Sequence, residues 1–182
     1  MTVGSSVDLP PLETAINCGV TAISRTTESV DEASKLLSIA LTKFRHITDD
    51  YAREYYEKAF NWDEIELPLD VEKEFYCVVF RSRRKPDVDT DLYTADRLAH
   101  EEAVEASQGN LLMYWFGSAS TETRECLATC IWSSRSWAQR TSKLPKHVQA
   151  AKLSKDVYES FELERYSLIK KLGTRKLILR KL

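Results

Sequence analysis

The sequence predicts an α+β protein: a β-α-β-β-α-β unit folded into one antiparallel sheet, preceded by a helical extension and closed by a β-hairpin. Three observations predict it. Segments 75–81, Leu111–Phe116 and Glu125–Trp132 are rich in β-branched and aromatic residues, the composition of strands. Segments 92–107 and 145–160 have the apolar spacing or the start signal of helices. The strands are apolar on both sides, so the sheet needs a cover on each face.

Residues 1–17 contain Pro10 and Pro11, which forbid a regular helix start before them, and read as a flexible arm. Residues 18–182 read as one α+β domain, with a strand and helical extension over 18–70 and the ferredoxin-like unit over 71–182. A short strand is expected at 19–24. Ser29-Val30-Asp31-Glu32 has the S-x-x-E form of a capping box, ahead of Val30, Ala33, Leu37, Ala40, Leu41, Phe44 and Ile47 at helical spacing. A second helical stretch is expected over 49–60, with Ala52, Tyr55, Tyr56 and Ala59 on one side, before an acidic linker closed by Pro68.

The strand at 75–81 ends at the turn signal Lys85-Pro86-Asp87. Leu92, Ala95, Leu98, Ala99, Ala103 and Ala106 return to helical spacing after the capping-competent Asp89-Thr90-Asp91, and Gly109 stops that helix. The next two strands are joined by a Gly-Ser-Thr-rich connection at 117–123 and are expected to be antiparallel neighbours. Ser133-Ser134-Arg135 caps a short helix to Thr141, and Pro145 suits the first turn of a helix reaching Ser160. Leu163, Arg165, Ser167 and Ile169 then alternate against Glu164, Tyr166 and Leu168, and Gly173 sits in a gap before 176–180, which predicts a terminal hairpin.

Alternation puts Leu111, Met113 and Trp115 on one face and Leu112, Tyr114 and Phe116 on the other. In the following strand, Leu127 and Ile131 oppose Cys126, Ala128, Cys130 and Trp132. Two helices cover one face. The other must meet the N-terminal helices, a second subunit in a homodimer, or a ligand cavity, with the first two on an equal footing.

Composition narrows the function classes. With 43% hydrophobic and 30% charged residues, five glycines and five prolines, the chain is in the ordinary globular range. Residues 1–74 carry 15 acidic and 7 basic side chains, a net −8, whereas 75–182 carry a net +6, so the two parts should attract. The first twenty residues lack a secretory signal, no apolar run reaches the ~18 residues of a membrane span, and the C-terminus is not a prenylation signal. A cytoplasmic location is expected, with the nucleus as a second compartment, and Cys18, Cys77, Cys126 and Cys130 are expected to be reduced thiols. On a strand, Cys126 and Cys130 stand about 13 Å apart at ~3.3 Å per residue, too far for a disulfide or one shared metal. His46, His100 and His147 do not form H-x3-H, so neither a metal centre nor a cofactor is expected. The third strand lacks the aromatic run of RNA-recognition domains, which argues against nucleic acid despite the basic run Arg81-Ser82-Arg83-Arg84-Lys85 and the tail lysines and arginines Lys170, Lys171, Arg175, Lys176, Arg180 and Lys181.

His100 is the leading candidate site residue. It lies four residues after Asp96 and seven after Tyr93 at the flank of the apolar stripe, where the carboxylate would orient the imidazole. Tyr114, Trp115, Trp132, Trp137 and Arg135 gather around the sheet and the helix leaving it, a set able to hold a planar or anionic small molecule. His147 follows Leu144-Pro145-Lys146 near a helix N-terminus, where backbone amides bind anions.

Residues 75–85, Ala99-His100-Glu101-Glu102-Ala103, 111–117, 126–135 and Leu144-Pro145-Lys146-His147 together resemble a conserved fungal uncharacterised protein family over about residues 70–172. That resemblance implies a fungal intracellular protein and assigns no catalytic residues. In element order the chain is also similar to the dimeric α+β barrel proteins, which include cofactor-free monooxygenases, haem-degrading enzymes and small binding proteins; this likeness is fold analogy. The N-terminal extension departs from the minimal barrel subunit and is placed to occupy the face that would otherwise dimerise. The expectation is a small-ligand-binding protein, with a pocket between helix 92–107 and the sheet lined by His100, Tyr114 and Trp115. Two alternatives stand beside it: a cofactor-free oxygenase or isomerase in which His100, oriented by Asp96, moves a proton, and an interaction scaffold using the acidic helices or the basic tail.

Overall fold

The computed structural model describes residues 30–86 and 92–182. The expected arm at 1–17, the expected strand at 19–24 and Ser29 lie outside the described residues. The elements in chain order are α1 (Glu32–Ala40), α2 (Tyr56–Ala59), β1 (Lys73–Arg84), α3 (Leu92–Ser107), β2 (Leu111–Phe116), β3 (Glu125–Trp132), α4 (Arg135–Thr141), α5 (Pro145–Val157), β4 (Tyr158–Lys170) and β5 (Leu177–Lys181).

One five-stranded sheet has the order β2-β3-β1-β4-β5, with every neighbouring pair antiparallel. The β2-β3-β1-β4 part is the ferredoxin-like arrangement, and the C-terminal hairpin adds β5 at its edge. β1 is central because its stretch Phe75-Tyr76-Cys77-Val78-Val79-Phe80 is apolar on both faces, so only a two-sided cover keeps it from water. α3 lies close on one face because Ala95, Ala99 and Ala103 form a small-residue stripe buried beneath it. The helix stops at Gln108 and Gly109, which turn the chain through left-handed φ values of 51° and 87°.

Residues 30–71 cover the other face. Leu37, Leu41, Phe44, Tyr56, Phe60, Ile65 and Leu67 pack in one core with Phe75, Cys77, Val79, Met113, Trp115, Leu127, Ile131, Tyr166 and Leu168. Each fully buried Leu or Phe of that cover contributes about 1.5–3 kcal/mol. Two polar contacts fix its placement: the Tyr56 and Thr129 hydroxyls are hydrogen-bonded at 2.8 Å, and the Arg81 guanidinium donates to the Ala52 and Glu54 carbonyls at 2.6 and 2.7 Å. The acidic and basic parts of the chain also meet through Lys176 with Asp63 (2.6 Å) and Arg180 with Glu74 (3.6 Å).

Several expectations are corrected. The cap of α1 is Asp31, whose carboxylate accepts from the Ser34 amide at 3.0 Å. That helix ends at Ala40 and a 3-10 turn (Leu41–Lys43), not at Ile47, which is 58% exposed. Phe44 turns extended to stack on Phe60 at 4.5 Å, while the Asn61 side chain accepts from the Arg45 amide and donates to the Lys43 carbonyl. The helix expected over 49–60 shrinks to Tyr56–Ala59, because Arg81 takes carbonyls that a longer helix would use internally. α5 ends at Val157 and passes directly into β4, three residues before the expected Ser160, as Tyr158 goes extended and sets its ring 5.5 Å from Phe80. The basic run is not one surface: Arg81 is committed as above, and Lys170, expected in a basic tail, is 1% exposed and donates to the Val71 and Lys171 carbonyls. Cys77, Cys126 and Cys130 are free thiols. Among the described residues, no helix is long and apolar enough to cross a membrane.

Candidate functional site

The site candidate lies in the layer between α3, α5 and the sheet. Asp96 and His100 are one turn apart on α3, at the edge of its alanine stripe, and both are half-buried. Tyr114 comes from β2, where alternation turns it toward the helices, and its hydroxyl donates to Asp96 Oδ2 at 2.7 Å. The same tyrosine ring lies under His100, with centroids 4.7 Å apart and planes at 28°, and Phe116 extends the stack at 6.0 Å. Tyr114 therefore does what the sequence assigned to Asp96: it fixes the imidazole, by its face, while its hydroxyl holds the carboxylate. The Nδ1 atom of His100 is buried and has no hydrogen-bond partner.

His147 enters from the first turn of α5 and is half-buried near Asp96. The helix N-terminus there is already filled, because Glu102 on α3 accepts from the Lys146 and His147 amides at 3.0 and 3.3 Å. The anion site expected at those amides is thus occupied by the chain's own carboxylate, which pins α5 to α3. Between α3 and α5, Thr94, Ala95, Leu98, Lys146, Gln149 and Leu153 line a cleft of about 330 Å³.

The electrostatics centre on Asp96. Burial pushes its carboxyl above the usual range, while the Tyr114 hydroxyl and the charges of His100, His147 and Arg84 pull it back. Burial pushes His100 and His147 down, opposed by Asp96. Burial, then the Asp96 charge, raises the Tyr114 phenol. Tyr158, from the start of β4, is pushed up to about 12 and Cys130 to about 11, burial being the main cause for each. A carboxyl moved up and an imidazole moved down come closer in proton affinity than their ordinary values place them.

Other residues at this layer were named from the sequence only in other roles, Arg84 and Ser82 within the basic run and Cys126 as a reduced thiol. Arg84, at the end of β1, sets its guanidinium 4.3 Å from the Tyr93 ring centroid. Ser82 Oγ and Cys126 Sγ are hydrogen-bonded at 2.9 Å. Alternation along β1 and β3 was the available signal for Ser82 and Cys126; Arg84 follows a register irregularity that alternation alone does not reveal.

The remaining candidates separate. Trp115 faces the N-terminal cover, 1% exposed, with its ring 4.8 Å from Phe60 and 5.2 Å from Tyr51, so it shares no pocket with His100 and Tyr114. Neighbours on a strand point to opposite faces, which is the reason. Trp132 and Trp137 join a small core with Tyr76, Ala103 and Leu111. Arg135 is exposed at the first position of α4. Tyr93 is 47% exposed and serves as the platform for Arg84. Among the described residues, no group of three or more His, Cys, Asp or Glu is placed to hold a metal ion.

The sheet order and the helices on one of its faces define a ferredoxin-like α+β protein with a polar layer under its helices. By sequence, the chain belongs to the PB2B2.08-like family, whose profile matches residues 21–181. A Schizosaccharomyces pombe relative, the UPF0643 protein PB2B2.08, is 31% identical over 97 residues, which cover 51% of this chain and 44% of that protein. The match thus spans under half of the relative's length. Among solved structures, a dimeric ferredoxin-like protein of unknown function from Thermobifida fusca aligns with a TM-score of 0.43 at 13% identity, over 56% of this chain and 97% of its own. A conserved protein from Methanosarcina mazei gives 0.43 at 13% identity, over 50% and 90%. A Nitrosomonas europaea protein provisionally described as an antibiotic biosynthesis monooxygenase gives 0.41 at 12%, over 53% and 88%.

Proposed function

We propose that this chain binds a small molecule at the layer between α3 and the sheet, with Asp96, His100 and Tyr114 as contacts and His147 at the rim. One observation carries the reading: a buried imidazole nitrogen without a partner stands beside a half-buried carboxylate that is held by a tyrosine hydroxyl. Buried polar atoms are nearly always paired within a protein, so an unpaired one next to a charged group supports a site completed from outside. Thermal unfolding against a metabolite panel tests it. The expected result is at least one compound that raises the melting temperature of the wild type and loses that effect with His100→Ala. A shift that His100→Ala leaves intact rules the pocket out.

A second reading, a proton-moving oxygenase or isomerase without a cofactor, is favoured by the opposed shifts of Asp96 and His100. In it the neutral imidazole accepts a proton from the bound molecule and Asp96 stabilises the cation formed. Once a binding compound is in hand, hydrogen–deuterium exchange into it separates the readings. An enzyme exchanges the compound's proton in the wild type and loses exchange, with binding retained, in Asp96→Asn; a binding protein exchanges nothing.

A further inference from the structure

We infer that the ligand of this site is a small conjugated acid whose carboxylate is held by Arg84. The inference rests on the small-ligand reading above. Three arginines among the described residues are half-buried: Arg81, Arg84 and Arg124. Arg81 has Glu164 at 3.3 Å and Arg124 has Glu159 at 3.3 Å, but no carboxylate among the described residues comes within 4.0 Å of Arg84. Its Nε is buried and has no hydrogen-bond partner. A guanidinium withdrawn from water without a counter-ion is costly, and its planar fork matches a carboxylate or phosphate.

The surroundings suit a flat guest that brings a negative group to Arg84. Arg84 lies over Tyr93, within electrostatic reach of Asp96, and its guanidinium is also within hydrogen-bonding reach of the Cys126 thiol. Glu101 acts on His100 and Glu102 on His147, and the carboxylate that senses Arg84 as well as both imidazoles is Asp96. That carboxylate is already engaged by Tyr114. The aromatic faces of Tyr93, of the His100 and Tyr114 stack, and of Tyr158 beside Phe80 suit a conjugated body rather than a branched aliphatic one. Sequence offers a rival partner for the charge: Asp87, Asp89 and Asp91 follow Arg84 in the chain.

The test is thermal unfolding of the full chain at constant ionic strength with benzoate, its neutral isostere benzamide, and inorganic phosphate. Benzoate is expected to stabilise saturably and benzamide not to. Arg84→Gln is expected to weaken the apparent affinity for benzoate about tenfold or more while leaving the ligand-free melting temperature unchanged or higher, because an unpaired charge has been removed. Equal responses to benzoate and benzamide, or a benzoate response that survives Arg84→Gln, overturn the anchor, while the site reading is judged separately by His100→Ala. Phosphate acting where benzoate does not assigns Arg84 to inorganic anions and overturns the organic acid. No response to any of the three also overturns it. A variant with Asp87, Asp89 and Asp91 all changed to Asn supplies the last arm. If it loses stability, and combining it with Arg84→Gln adds no further loss, the counter-ion is the chain's own and the proposal falls; wild-type stability in that variant supports it.

Discussion

Asp96 is the residue whose placement works against the fold at neutral pH. Its folded-state pKa is raised by burial, so the carboxyl favours folding below its unfolded value near 4 and that contribution is lost as pH rises through the folded value. Asp96→Asn keeps an acceptor for Tyr114 and removes the charge. Its melting temperature is expected to exceed that of the wild type at pH 7, with the difference shrinking toward pH 4; an equal difference at both would show that ionisation is not its cause. His100 and His147 run the other way. Their folded values are depressed, so stability is full above about 6.5 and is lost as pH falls from there through the lowered values. From pH 7 to 5 the wild type should lose more stability than His100→Gln in matched denaturation curves. At this scale the sequence was informative about Asp96, His100 and Tyr114, because helical spacing placed the first two and strand alternation the third. Arg84 was hidden because its contact with Tyr93 depends on how the start of α3 sits over the end of β1, and Trp115 was grouped with Tyr114 although adjacent strand residues face opposite ways.

At the scale of elements, the bounds of α3, β2 and β3 were legible to their last residues. Strict alternation nevertheless fails at the start of β2, where a register irregularity between Leu111 and Met113 sends Leu111 to the helix side and Leu112 to the covered side with Met113 and Trp115. The N-terminal helices were overrun because apolar spacing continues past the points where distant side chains take over the backbone groups. Arg81 is the main example, and Arg81→Ala is expected to cost about 2–3 kcal/mol in urea unfolding, below the ~3–5 of a fully buried pair because Glu164 keeps Lys181. Proteolysis should then open residues 48–55 first; unchanged cleavage there would mean that Arg81 does not hold the segment. Gly117 is constrained differently. A Cβ at this position would collide with the Tyr51 ring and hydroxyl, which pack beside Trp115. Gly117→Ala should lower stability by about 1–3 kcal/mol, and Tyr51→Ala should remove most of that increment in a double-mutant cycle.

For the whole molecule, the need for two covers was plain from strands apolar on both sides, but which surface supplies the second depends on contacts far apart in sequence. The chain supplies it from residues 30–71, so a homodimer has to use other surface, and Phe161, Leu163 and Ile178 remain exposed on β4 and β5. Removing residues 1–71 is expected to uncover Phe75, Trp115 and Tyr166 and to raise the mass in light scattering above that of a single truncated chain. A monodisperse single truncated chain would show that the face does not need its cover.

The cover over the sheet also decides how folding responds to dilution. Where a second copy closes such a surface, stability is tied to protomer concentration by mass action. Here Leu37, Phe44, Tyr56 and Phe60 arrive on the same polypeptide as the strands they shield. Closing this face is therefore a unimolecular event, and its contribution to the midpoint of unfolding stays the same from dilute to concentrated solution.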